Sequence, residues 1–139
     1  MPGLRAPQLT LRSKPEWIEI RNASRPESPR VHARWCASFA CRLRGLTFRR
    51  GLPKDEGLLL VESGEGRLNT AIHMWFVFQP LAVIWLNSEP RVVDVRVALP
   101  WRWYVPRTPA RFVLEGTPDL LSHFEIDDLV GFESLDPNR

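Results

Sequence analysis

His73, near the front of the apolar run IHMWFVFQPLAVIWLN (Ile72–Asn87), is the side chain best suited to proton chemistry. An imidazole titrates near neutrality and can act as base, donor or metal ligand. General acid–base catalysis needs a second titratable group beside it. The one near-core companion is Asp94. Alternation along RVVDVRVAL (Arg91–Leu99) turns Val93, Val95, Val97 and Leu99 inward and leaves Asp94 and Arg96 outward. The chain has no glycine-rich phosphate loop, no nucleophile elbow and no paired-carboxylate spacing. These residues imply no catalytic group and no cofactor.

Recognition is better provided for. Arg44 and Arg49 in RLRGLTFRRGLPKDE, and Trp101, Arg102 and Trp103 in PWRW, fall in turns, where a rigid scaffold presents binding groups. Guanidinium forks match carboxylate and phosphate. Each residue also has a structural role open to it: Arg44 could bond carbonyls at a helix end, Trp101 could lid the core, and His73 could be a hydrogen-bonded core histidine. The binding reading places His73, Arg44, Arg49, Trp101 and Arg102 around one concavity that accepts a small anionic group. Cys36 and Cys41 lack a second Cys or His pair at ligand spacing, so they predict no metal and are expected to be free thiols. Asp127 and Asp128 are expected to cap or solvate the approach to the last strand.

The elements that must position these groups are extended. Ala71–Leu86 is too short and too polar for a membrane helix, and Pro80 would break one. Its β-branched and aromatic residues predict two adjoining strands, about 71–78 and 81–87, bending at Pro80, with Phe76, Phe78, Ile84 and Leu86 mostly buried. Further strands are expected at 15–22, 31–37, 57–63, 91–99, 111–115 and 129–133. A helix of about two turns follows Ser38 as N-cap, with Phe39, Leu43 and Leu46 at helical spacing and Gly45 ending it. A second short helix begins with Thr117 as N-cap and Pro118 in its first position. The pattern predicts an all-β fold, a compact sandwich or barrel-like sheet with two short helices.

At 139 residues the chain fits one domain: an N-terminal segment 1–14 without regular structure, a β-rich domain 15–133 and a tail 134–139. The first residues lack the apolar stretch of a secretory signal, which predicts a cytoplasmic protein. Formal charge is +3, but bases concentrate before residue 51 and acids between Glu115 and Asp136. Scattered arginines without a docking motif make nucleic acid an unlikely partner, and any such binding weak and salt-labile.

The ordered segments RLRGLTFRRGLPKDEGLLL, IHMWFVFQPLAVIWLN, PWRW and FVLEGTP (Phe112–Pro118) together resemble domain-of-unknown-function family 192, over roughly residues 31–133. The resemblance implies a small all-β domain of jelly-roll type and no established activity. It maps a recurring turn onto Arg44, Gly45 and Leu46, the apolar motif onto His73–Leu86, and a corner onto Pro100, Trp101 and Arg102. Two positions depart from the family pattern. Ala82 stands where an aspartate is usual, which would leave the concavity more positive than in relatives, and Asp127–Asp128 replaces a glycine-aspartate pair. The combined expectation is a non-enzymatic binding or accessory module for a small anionic ligand or a partner protein. The alternatives are a small hydrolase or metal-dependent enzyme using His73, and a nucleic-acid-associated module.

Overall fold

The structure is a computed structural model that describes residues 16–38, 41–42 and 52–135. The expected N-terminal segment and C-terminal tail fall almost wholly outside these residues, as do Arg44, Arg49 and most of the first expected helix. Nine strands follow in chain order: β1 (Trp17–Asn22), β2 (Val31–Cys36), β3 (Glu56–Gly66), β4 (Ile72–His73), β5 (Leu81–Leu86), β6 (Val92–Ala98), β7 (Trp103–Tyr104), β8 (Ala110–Gly116) and β9 (Val130–Ser134). Seven form one mixed sheet in the order β6-β5-β8-β3-β2-β1-β9, with β2 and β3 parallel and the other pairs antiparallel. β4 and β7 form a separate two-stranded ribbon. The fold is all-β, as its alternating patterns require. The sheet is not a closed barrel: its two edge strands approach through a single isolated bridge, Arg91 to Leu129.

The core lies on both faces of this sheet. β5 reads LAVIWL, with no polar residue, because it is buried on each side. Ala82, Ile84 and Leu86 join one cluster with Ile18, Ile20, Val31, Leu59, Leu114 and Phe132. Leu81, Val83 and Trp85 join the other with Leu58, Leu60, Met74, Val77 and Val113. The Trp85 indole N–H, buried with its ring, donates to the Thr70 carbonyl at 2.8 Å. This bond ties the chain before β4 to β5.

Several sequence expectations change against this frame. The strand expected over 71–78 shrinks to Ile72–His73, which pairs with β7 and not with β5. The chain then turns: Val77 N–H donates to the Met74 carbonyl, and Phe76 takes a φ of 58°. Phe76 and Phe78 are consequently 46% and 50% exposed, whereas Ile84 and Leu86 are buried as expected. Asp94, expected outward, is buried. Regular pairing from Leu81–Ala98 to Trp85–Asp94 puts Asp94 on the face of Leu81, Val83 and Trp85, so Val97 and Leu99 are exposed instead; the register shifts only beyond Asp94, where Leu86 pairs with Val92. The Asp94 carboxylate accepts hydrogen bonds from Val95 N (2.9 Å) and Arg107 N (3.0 Å), and Arg96 lies 3.4 Å away. A buried charge with such partners is tolerated where a bare one is not.

The cysteines are also corrected. Cys36 and Cys41 form a disulfide, with no free cysteine among the described residues. The physical reason is local. Cys36 ends β2 fully buried, and a helical turn then begins, Ser38 Oγ accepting from Cys41 N at 3.1 Å and Ser38 O from Arg42 N. Strand end and turn together bring the two Cα atoms within 5.6 Å. The Ser38 cap is thus as expected, and the rest of that helix lies outside the described residues. The second helix is a 3-10 helix, Pro118–His123, starting where Thr117 and Pro118 placed it, although the Thr117 hydroxyl makes no capping bond.

Asp128 secures the approach to β9. Its carboxylate accepts from Asn22 Nδ2 and from Glu125 N, both at 2.8 Å, and Arg25 pairs with it at 3.4 Å. Asp127 precedes it at the third position of a turn closed by Asp128 N to Glu125 O, with a φ of 77°. That conformation favours glycine, which accounts for the glycine of the family pattern. Replacing Asp127→Gly should therefore stabilise the fold by about 0.5–1 kcal/mol, read as a higher urea midpoint at unchanged slope.

Candidate functional site

The ribbon and its flanking turns gather most of the exposed aromatic side chains. The Met74–Val77 turn and the Leu99–Arg102 corner are stitched together by Met74 N to Arg102 O and Trp101 N to Met74 O, both 2.8 Å. His73 pairs with Trp103 across the ribbon. Three rings pack there, with centroids 5.6 Å apart for His73–Trp75, 6.2 Å for His73–Trp103 and 5.1 Å for Trp75–Trp103. Beside them Phe76 and Trp101 meet edge to face at 5.1 Å. Trp75, Phe76, Phe78, Trp101 and Trp103 are each 45–59% exposed. A contiguous apolar surface of this kind marks an interaction site more often than chance exposure does.

Two features make this surface unusual. Phe76 and Trp101 both have positive φ, 58° and 67°. The cost to a bulky side chain is roughly 1–2 kcal/mol each, and such strain collects at functional positions. The second feature is the Nδ1 atom of His73, which is buried and has no hydrogen-bond partner among the described residues.

Of the five residues expected to share a site, His73, Trp101 and Arg102 come together on adjoining backbone, and Arg102 is exposed. Arg44 and Arg49 lie outside the described residues. An open groove of about 310 Å3 lies elsewhere, between the start of β2, the loop before β3 and the 3-10 helix. Arg30, Lys54, Asp119 and His123 line it, and none of the five expected residues does. Ala82 does not adjoin the aromatic surface. Its side chain belongs to the cluster on the opposite sheet face from Met74 and Val77, so losing an aspartate there leaves the charge around His73 unaltered. Among the described residues no group of three or more His, Cys, Asp or Glu could hold a metal ion.

Sequence reasoning missed Trp75, Phe76 and Phe78, because a run of aromatic and β-branched residues reads as a core strand. The signal that could have found them is Pro80 with Gln79, which breaks the run just before the truly buried strand. It also missed Glu115. This carboxyl is buried on β8 opposite Leu58 and Val83, and burial pushes its pKa up to about 7.

Comparison with known proteins follows this geometry. Residues 20–129 match DUF192, described as an uncharacterized ACR. The chain belongs to this family. A UPF0127 protein of Pyrococcus furiosus is 34% identical over 106 residues, covering 76% of this chain and 89% of that protein. One from Thermococcus gammatolerans is 36% identical over 104 residues, covering 73% and 67%. Among solved structures, a candidate transcription regulator from Sinorhizobium meliloti superposes with a TM-score of 0.73 at 19% identity, covering 84% of this chain and 92% of that one. A protein of unknown function from Novosphingobium aromaticivorans gives 0.68 at 20% identity, covering 82% of each. At these identities the structures of the two proteins support the fold of this DUF192 member and nothing about its chemistry.

Two measurements check the placement of these side chains. Trp85→Ala should cost about 3–5 kcal/mol, as for any large buried ring, whereas Phe76→Ala should cost no more than about 1 kcal/mol because half its ring is already in water. Equal losses in urea unfolding would contradict the burial difference. For Glu115 the sign follows from its raised pKa. Below its ordinary value of 4.5 the carboxyl is protonated whether folded or not; between 4.5 and about 7 the unfolded chain ionises it while the fold holds it neutral. Stability therefore falls as pH rises through that window, by on the order of 3 kcal/mol. Glu115→Gln should remove that part of the pH dependence, measured as the difference between the two proteins' unfolding free energies at about pH 3.5 and pH 8 (about one unit outside each end of the window).

Proposed function

We propose that this DUF192 member is a non-enzymatic binding module whose recognition face is the aromatic surface around β4 and β7, and that it takes an anionic group. The observation that carries this reading is the meeting, on one surface, of two strained aromatic residues with the unpartnered Nδ1 of His73 and the exposed Arg102. Arginine supplies charge-assisted hydrogen bonds, the tryptophans an apolar wall, and His73 a donor whose charge follows pH. Arg44 and Arg49 are further candidates for the same anion. Catalysis by His73 has less support, since its ring neighbours are Trp75 and Trp103 and no carboxylate is bonded to it among the described residues.

The cytoplasmic address expected from the N-terminal residues is weakened by the disulfide. Such bonds persist chiefly where thiols are oxidised, and the proposal here is for a protein that works in such a setting.

Phenyl phosphate, which offers an anion and a ring together, is the probe for this reading. Titration should quench or shift tryptophan emission, and Arg102→Gln should weaken binding about tenfold or more by deleting a charge-assisted bond. Binding that is absent, or indifferent to Arg102→Gln, would count against the recognition face.

A further inference from the structure

The exposed apolar area around the ribbon exceeds what a small anion would cover. Besides the five rings, Leu99, just after β6, is 39% exposed and begins the corner that carries Trp101. The two chain segments that carry it are basic. From Gly66 to Ser88 and from Val95 to Arg111 the chain has five arginines, Arg67, Arg96, Arg102, Arg107 and Arg111, and no acid. Arg96 and Arg107 pair with Asp94, which is buried and also held by backbone N–H groups, and Arg111 donates to the Glu62 carbonyl. Arg102 sits within the aromatic tip itself, and the Arg107 side chain is 70% exposed.

Phenylalanine and aliphatic side chains exposed with tryptophans that carry one polar edge, with Arg102 among them and no acid in the two segments that carry them, match the interfacial zone of an anionic bilayer. There rings enter the headgroup boundary while guanidinium groups meet lipid phosphates. A nucleic acid would use the arginine but leave Phe78 and Leu99 unused. No helix among the described residues is long and apolar enough to cross a membrane, so contact through this tip would be peripheral.

We infer that the aromatic tip formed by the 73–78 turn and the 99–103 corner docks onto the surface of an anionic phospholipid bilayer, Arg102 meeting lipid phosphate. This deepens the binding reading above and rests on it, naming the source of the anionic group.

The test is co-sedimentation of the full chain with vesicles of phosphatidylcholine alone and with vesicles in which phosphatidylglycerol makes up about a third of the lipid. Binding is expected to the anionic vesicles only, with a blue shift of tryptophan emission and weakening by salt. The double variant Trp101→Ala, Trp103→Ala should lose binding about tenfold or more. Both rings are more than half exposed, so the variant should keep the parent's unfolding midpoint. Failure to bind anionic vesicles while phenyl phosphate still binds overturns the bilayer as partner and leaves the recognition face standing. Failure with both probes overturns both readings. Vesicle binding that the double variant retains, or that is equal on uncharged vesicles, places the contact elsewhere or on other chemistry and overturns the inference.

Discussion

Burial of β5 on both faces is the constraint from which the rest of the structure follows. Side chains alternate strictly along a strand, so a slip of one residue would exchange the contents of the two clusters. Here Leu81, Val83 and Trp85 fill one and Ala82, Ile84 and Leu86 the other. Trp85 fits only the side where its indole meets the Thr70 carbonyl. With register thus fixed, the segments entering β5 and leaving β6 must emerge at the same end of the sheet, because Leu81 pairs with Ala98. Those segments are the two aromatic turns. The exposed aromatic surface is a consequence of where β5 begins.

Two buried carboxylates show how the sheet manages polar groups. Asp94 lies on the face of Trp85, where the backbone N–H groups of Val95 and Arg107 and the guanidinium groups of Arg96 and Arg107 meet its oxygens. Glu115 lies in regular pairing between apolar neighbours and is kept near neutrality by burial alone. The first is a buried charge made tolerable by partners. The second is tolerable because a neutral carboxyl is cheaper to bury than an ionised one.

The fold was legible in the sequence wherever one period persisted. Ile18 and Ile20, and Val31 and Ala33, alternate with polar neighbours, and their placement followed. Legibility failed at β6, whose valines read as the inward face although the pairing of Ala98 with Leu81 puts Asp94 there, and at Phe76, where a turn ends a strand after two residues. Composition misled at the second place, since the side chains that suit a two-sided core strand also suit an exposed recognition surface. The pairing of Cys36 with Cys41 depended on a strand end and a helical turn meeting, which five-residue spacing alone does not specify. For the site, His73, Trp101 and Arg102 could be picked out by type and turn position, but their adjacency required knowing that β4 pairs with β7.

The three non-glycine residues with positive φ separate structural accident from requirement. At Asp127 the strain accompanies an exposed side chain, while the turn is held by its backbone and by Asp128. Nothing in the side chain offsets the conformation, and the family pattern has glycine there. Phe76 and Trp101 occupy equally unfavourable backbone, yet their rings contact each other across two turns that are joined by main-chain bonds. Glycine at either position would relieve the strain and remove the ring. Stability alone would favour that exchange, because half-exposed rings contribute little to the core. The folding of the domain therefore does not account for rings at these strained, half-exposed positions, and that gap is what supports the proposed recognition face.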